Sequence, residues 1–115
     1  MPSDRPLVWL HGEVRSPPFS HQARLETGDL LRRLQVGKAL TFPYSRPMPS
    51  IGPRVHELRV QDANLSWRIV YRLDPDAVVV VEVFHKQSRA TPRLVLRTCI
   101  RRLRAYDRAI EENLP

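Results

Sequence analysis

The sequence predicts an α+β fold, with an antiparallel meander of three strands and helices packed on one side, in the order β, α (one helix or two), β, β, β, α. Three observations predict it. Residues 54–86, RVHELRVQDANLSWRIVYRLDPDAVVVVEVFHK, read as three short strands joined by two turns of hairpin length. Residues 19–35 and the segment after Thr91-Pro92 carry apolar residues at helical spacing. The connections between the last three strands are too short for crossovers, so those strands run antiparallel.

Leu7-Val8-Trp9-Leu10 is a short apolar run that suits a first strand. Pro17-Pro18 breaks the chain ahead of a helix over 19–35, where Ala23, Leu30, Leu31 and Leu34 form an apolar stripe and Arg24, Arg32 and Arg33 stay outside. Gly28 sits inside this segment and weakens it, leaving one helix or two. Gly37 suits the C-terminal cap. Residues 41–53 hold four of the eleven prolines and read as an irregular loop, basic at Arg46. Strands follow over 54–60 and 65–73, around the turn Gln61-Asp62-Ala63-Asn64, and then over 77–85 after Asp74-Pro75-Asp76. Five valines in 77–85 place that strand centrally. The last helix starts with Thr91 as N-cap and Pro92 at the first helical position. It packs through Leu96, Cys99, Ile100, Leu103, Tyr106 and Ile110, and carries a second stripe of Arg97, Arg101, Arg104 and Arg108.

A chain of 115 residues is the size of one domain, expected over 1–115. Nineteen basic against twelve acidic residues leave a net charge of +7, which favours a polyanionic partner. Residues 86–115 carry eight basic and three acidic residues, +5 of that +7. A single cysteine, Cys99, excludes an internal disulfide and a CxxC metal pair, and fits a reducing cytoplasm. On the last helix's apolar face it reads as packed rather than reactive. No apolar run approaches the roughly 20 residues that span a bilayer, and the start lacks a signal-peptide apolar region. The expectation is a soluble cytoplasmic protein with no metal or cofactor. There is no HxxxH or HxH pair, no P-loop, no GxGxxG and no GxSxG.

Strand parity outlines a candidate site. In 65–73, Leu65, Trp67, Ile69, Tyr71 and Leu73 share one face, and Ser66, Arg68, Val70 and Arg72 share the other. In 77–85 the core face takes Val79, Val81 and Val83, leaving Glu82, Phe84 and then Lys86 opposite. In 54–60 Leu58 and Val60 point inward and Glu57 and Arg59 outward. With the strands adjacent, Arg59, Arg68, Arg72 and Lys86 converge, with Glu57 and Glu82 among them. Guanidinium is planar, always charged and bidentate, so such a cluster suits phosphate. Arg54, at the start of the block, and Arg46, in the preceding loop, extend the candidate substrate contacts. Phe84 is placed to stack a base. His56 and His85 lie by parity with a core face near strand ends. Each reads either as a packed histidine or as a general acid or base.

Val55-His56-Glu57-Leu58-Arg59, then Trp67-Arg68-Ile69-Val70-Tyr71, then Glu82-Val83-Phe84-His85-Lys86-Gln87-Ser88 with Thr91-Pro92, resemble the RelE/HigB-like toxins. The closest branch is the phage-derived toxins of type II toxin–antitoxin systems. There the pattern runs H-E-L-R, [WY]-R-[IV]-[VL]-Y, F-x-K-K and T-P before a basic final helix. Gly28 to Gln35 and Pro47-Met48-Pro49 also fit, so the resemblance spans about residues 7–108. It implies a twisted antiparallel sheet with N-terminal helices, and metal-independent mRNA cleavage on the ribosome. In that reaction the 2′-OH attacks the adjacent phosphate, and basic residues stabilise the phosphorane. By position, the resemblance assigns Arg68 to the phosphate, with Lys86 and Arg59 as further charge stabilisers.

Two positions depart from the pattern. Gln87 replaces the usual second lysine, and Arg93 aligns near the C-terminal tyrosine of RelE-type toxins. The general base is therefore left unassigned among His56, His85 and Tyr71, with Tyr71 on the buried face. The resemblance also implies an antitoxin partner, commonly a helix-turn-helix protein. Two alternatives stand beside the nuclease: a non-cleaving toxin of the same fold, such as the ParE-like gyrase inhibitors, and a degenerate basic nucleic-acid-binding module.

Overall fold

The computed structural model describes residues 4–11 and 18–114. Pro17 of the expected chain break lies outside them. The elements are β1 (Leu7–Trp9), α1 (His21–Gln35), β2 (Ser45–Pro47), β3 (Val55–Asp62), β4 (Leu65–Leu73), β5 (Val78–His85) and α2 (Arg93–Glu112). The strands form one five-stranded sheet in the order β1-β5-β4-β3-β2. The α+β class and the β3–β4–β5 meander are as expected. To the antiparallel strands that the resemblance implies, β1 adds one parallel pairing with β5, so the sheet is mixed. Pro6 and Leu10 make the outer bonds of that pairing, Val78 N to Pro6 O at 2.9 Å and Leu10 N to Val80 O at 2.8 Å. All the other elements up to β5 separate β1 from its neighbour, so no hairpin dictates its direction.

α1 is one continuous helix. Ser20 caps it by accepting a hydrogen bond from Ala23 N at 3.1 Å. Gly28 faces open space on its outer side, so the helix passes through it without a packing consequence. Gly37, at φ +90°, ends the helix in the left-handed region, where glycine is the easiest residue to place. Ala23, Leu30, Leu31 and Leu34 are buried against Leu58, Val60, Trp67, Ile69, Tyr71, Val78 and Val80. At its N-terminus Ser20 N donates to Asp62 Oδ2 at 2.9 Å, which ties the helix to the β3–β4 turn.

The expectation that the helices share one side of the sheet is corrected. α2 covers the opposite face, where Cys99 and Leu103 are buried with Met48, Ile51, Val55, Val70, Val79 and Val81. The reason lies in β5. Tyr71 pairs with Val80 and Val70 pairs with Glu82, so Val81 is an extra, bulged residue. Val78 and Val80 therefore face α1 while Val79 and Val81 face α2, and Val83 returns to the α1 side. A strand apolar on both faces needs cover on both. Uniform alternation had put Val79 and Val81 with Val83.

Two boundaries differ from expectation. The loop over 41–53 contains the short edge strand β2, which ends at Pro47, an edge position that tolerates the missing N–H. α2 begins at Arg93 with Pro92 in the cap position, and no side chain caps it, so Thr91 does not serve as the cap. Among the described residues, no helix is long and apolar enough to cross a membrane.

Candidate functional site

The site is built by strand register on the α2 side of the sheet, where the helix leaves one end uncovered. Arg59 on β3 pairs with Arg68 on β4, and Arg68 pairs with Phe84 on β5. Arg59 N donates to Tyr44 O at 2.8 Å, which extends this row to Tyr44. The next row inward runs Arg46, Glu57, Val70 and Glu82. One row outward, Lys86 N donates to Ser66 O at 2.7 Å, placing Lys86 beside Ser66 and Gln61. Arg46, Arg59, Arg68 and Lys86 thus gather from four consecutive segments of the sheet.

Glu57 is at the centre and is fully buried. Its Oε1 accepts from Arg46 Nε at 2.7 Å and lies 3.6 Å from both Arg59 Nη1 and Arg68 Nε. Its Oε2 has no hydrogen-bond partner among the described residues. Like charges directly opposite on neighbouring strands repel, and one carboxylate shared by three guanidiniums offsets that repulsion. The four cations still exceed the one carboxylate, so this end of the sheet keeps a net positive charge. Burial lowers the Arg68 pKa, as does neighbouring Arg59, with Glu57 opposing; a guanidinium stays charged regardless. Burial also pulls the Lys86 ammonium below its ordinary value; Glu57 opposes this, and Arg46, Arg68 and Arg59 add to it.

Two clefts open here and share Ser66 and Arg68. One, of about 300 Å³, is lined by Arg68, Lys86, Gln87, Ser88 and Arg89 besides Ser66. The other, of about 290 Å³, is bounded by Glu26, Pro43, Tyr44, Arg59 and Gln61 with the shared pair. Phe42 flanks it, with the Arg59 guanidinium 5.2 Å from its ring centroid.

Several expected site residues fall elsewhere. Arg72 is on the expected face but is buried under α2 and fully engaged. Its Nε and Nη2 donate to Asp74 at 2.7 and 2.9 Å, and Nη2 and Nη1 donate to Asp107 at 2.7 and 3.0 Å. Those bonds, Asp107 foremost, raise its pKa further. Arg54 belongs to the same end, 3.5 Å from Asp74. That end is four strand residues from Arg59, about 13 Å. Phe84 is part-buried in the α2 core and is not an open stacking surface.

His56 and His85 lie across the sheet from the cations. His56 stacks on Tyr71 with ring centroids 5.5 Å apart, and His85 meets the edge of Trp67 at 5.5 Å. Tyr71 is on that side too, its hydroxyl 2.6 Å from Ser45 Oγ and its pKa raised by burial. None of the three base candidates reaches the cluster. Cys99 is buried as expected, its thiol pushed up to about 12, chiefly by burial. The arginine stripe on α2 borders an open groove of about 650 Å³ on the helix's outer face.

The central role of Glu57 and the proximity of Phe42 and Tyr44 were not foreseen from the sequence. The signal for Tyr44 is its shared parity with Arg46, which becomes visible only once residues 45–47 are read as a strand.

The fold and site define a small α+β protein whose sheet is covered on both faces except at one polycationic end. The family described as phage-derived protein Gp49-like (DUF891) matches residues 18–104, which include every residue of that end, and the chain belongs to this family. It is a toxin-type family related to the RelE-like toxins. Comparison with curated proteins finds no match.

Proposed function

We propose that this protein is the toxin of a type II toxin–antitoxin system and a metal-independent, ribosome-dependent mRNA endonuclease. The observation that carries this reading is the packing of Arg46, Arg59 and Arg68 around the buried Glu57, with Lys86 lining the cleft beside Arg68, in a chain of toxin-type family. In the reaction, the 2′-oxygen bonds to the neighbouring phosphorus as its proton passes to solvent water, and the bond from phosphorus to the 5′-oxygen breaks as that oxygen gains a proton. The intermediate carries extra charge on its equatorial oxygens. Fixed cations aimed at those oxygens stabilise it without reorganising, the largest single source of catalysis in many enzymes.

Arg68 and Arg59 hold the phosphate, and Glu57 holds their guanidiniums in place. Lys86 is the titratable group lining the Arg68 cleft, and its lowered pKa suits it to deliver a proton to the departing 5′-oxygen. The +7 charge fits both RNA and an antitoxin, of helix-turn-helix type, that neutralises the same surface.

Expression of the chain alone in a bacterium tests the reading. Growth should arrest and translated transcripts should be cut, with co-expression of an antitoxin from the adjacent reading frame restoring growth. Arrest with intact transcripts and lowered DNA supercoiling would select the non-cleaving, ParE-like reading instead. One observation favours that second reading: His56, His85 and Tyr71 all lie on the side of the sheet away from the cations.

A further inference from the structure

We propose that Phe42 and Tyr44 form a stacking subsite for one unpaired nucleobase of single-stranded RNA, next to the phosphate held by Arg59 and Arg68. The inference rests on the RNA reading of the same cleft and adds to it how the strand beyond the phosphate is held.

Three observations carry it. First, register places Tyr44 in one row with Arg59 and Arg68, so its ring lies on the cationic side of the sheet. The backbone there is fixed, since Tyr44 N donates to Thr41 O at 3.0 Å and Tyr44 O accepts from Arg59 N. Second, both rings are open to solvent, Phe42 at 68% and Tyr44 at 47% exposure. Phe42 is held from one direction by the Arg59 guanidinium, a cation–π contact that also orients the arginine.

Third, the two clefts differ in chemistry. The Lys86 cleft is lined by Arg68, Lys86, Ser88 and Arg89, which suit phosphate oxygens. The Tyr44 cleft shares Arg68 and adds Arg59, but beyond the arginines it offers an aromatic ring, Pro43, Val60 and the carboxylate of Glu26, a lining less suited to a second phosphate. A flat, uncharged base fits the second while its backbone runs through the first. Every base has a π face, so such a subsite holds the strand with little regard to sequence.

The test is fluorescence anisotropy at fixed salt with two labelled hexanucleotides. One is a mixed-sequence RNA made uncleavable by 2′-O-methylation; the other is the same backbone without bases. The wild-type chain should bind the base-bearing strand about 5- to 150-fold more tightly, the factor one stacked base contributes. F42A/Y44A should lose that preference and bind both strands as the wild type binds the abasic one. Y44F, which keeps the ring, should retain it. F42L/Y44L, which keeps apolar bulk without a π face, should lose it, and thermal melts of each variant report the fold.

R68A should weaken both strands equally. If R68A weakens both but F42L/Y44L keeps the preference, the stacking subsite is overturned while the RNA reading stands. A Y44F variant as defective as F42A/Y44A would equally overturn stacking and assign the hydroxyl instead. If the wild type binds neither strand, both readings fall.

Discussion

Arg59 and Arg68 stand directly opposite one another on neighbouring strands, and each has a guanidinium nitrogen 3.6 Å from the same buried oxygen of Glu57. The arrangement makes one carboxylate responsible for holding a repulsive pair in place. Glu57→Ala should therefore destabilise the fold by about 2 kcal/mol. That is less than the roughly 3–5 kcal/mol of breaking a wholly buried pair, because Arg46 reaches solvent. Urea denaturation measures it, and an unchanged midpoint would show that the arginines do not need the carboxylate.

Behind the same strand, Trp67 is buried on the α1 side, its ring 4.9 Å from Phe19 and edge-on. Trp67→Ala should cost about 3–5 kcal/mol, the usual loss for a large core aromatic. Thermal unfolding checks it; a Tm within a few degrees of wild type would contradict the packing.

Gly28 lies in the middle of α1 with open space where a side chain would project. Gly28→Ala should stabilise the protein by about 0.5–1 kcal/mol, because alanine loses less backbone freedom on entering a helix. The same denaturation experiment reads the gain.

The Arg72–Asp107 bond fastens α2 to β4 and titrates. Hydrogen bonding from Arg72 holds the Asp107 carboxyl below its ordinary 3.8. A carboxyl depressed on folding stabilises above its ordinary value, and that contribution disappears as pH falls through the lowered folded value. The Asp107 side chain is half exposed, so the contribution is no more than about 1 kcal/mol. Asp107→Asn should lower stability at neutral pH and match the wild type once the pH has fallen below the lowered folded value, where both side chains are uncharged. Denaturant midpoints across pH test this; a gap that persists in acid would assign the loss to packing.

Much of the fold was legible because strand alternation was strong where it mattered. Trp67, Ile69 and Tyr71 against Arg68 and Arg72 is a pattern that only a sheet satisfies, and Leu30, Leu31 and Leu34 made α1 as plain. Three features were hidden for physical reasons. β2 is three residues long and ends in proline, so it carries no periodic signal. The bulge at Val81 sits in a run of four valines, where a slip in parity changes no residue type. Arg72 looked identical to Arg68 until α2 brought Asp107, 35 residues distant, onto it. The site was legible in the same measure. Parity found Arg59, Arg68 and Lys86, but it could not tell a shared buried carboxylate from a solvated one, which is why Glu57 read as a partner rather than as the centre.

The central claim is that the cation cluster cuts RNA by stabilising charge on a phosphate. The most direct measurement is cleavage of a translated mRNA by the purified chain on ribosomes, in chelator, with wild type and Arg68→Ala compared by primer extension. The account predicts cuts leaving 2′,3′-cyclic phosphate ends, slowed about 10²–10³-fold in the variant, the usual loss for one preorganised donor. Intact mRNA with the wild type, or a folded Arg68→Ala protein that cuts at the wild-type rate, would contradict it.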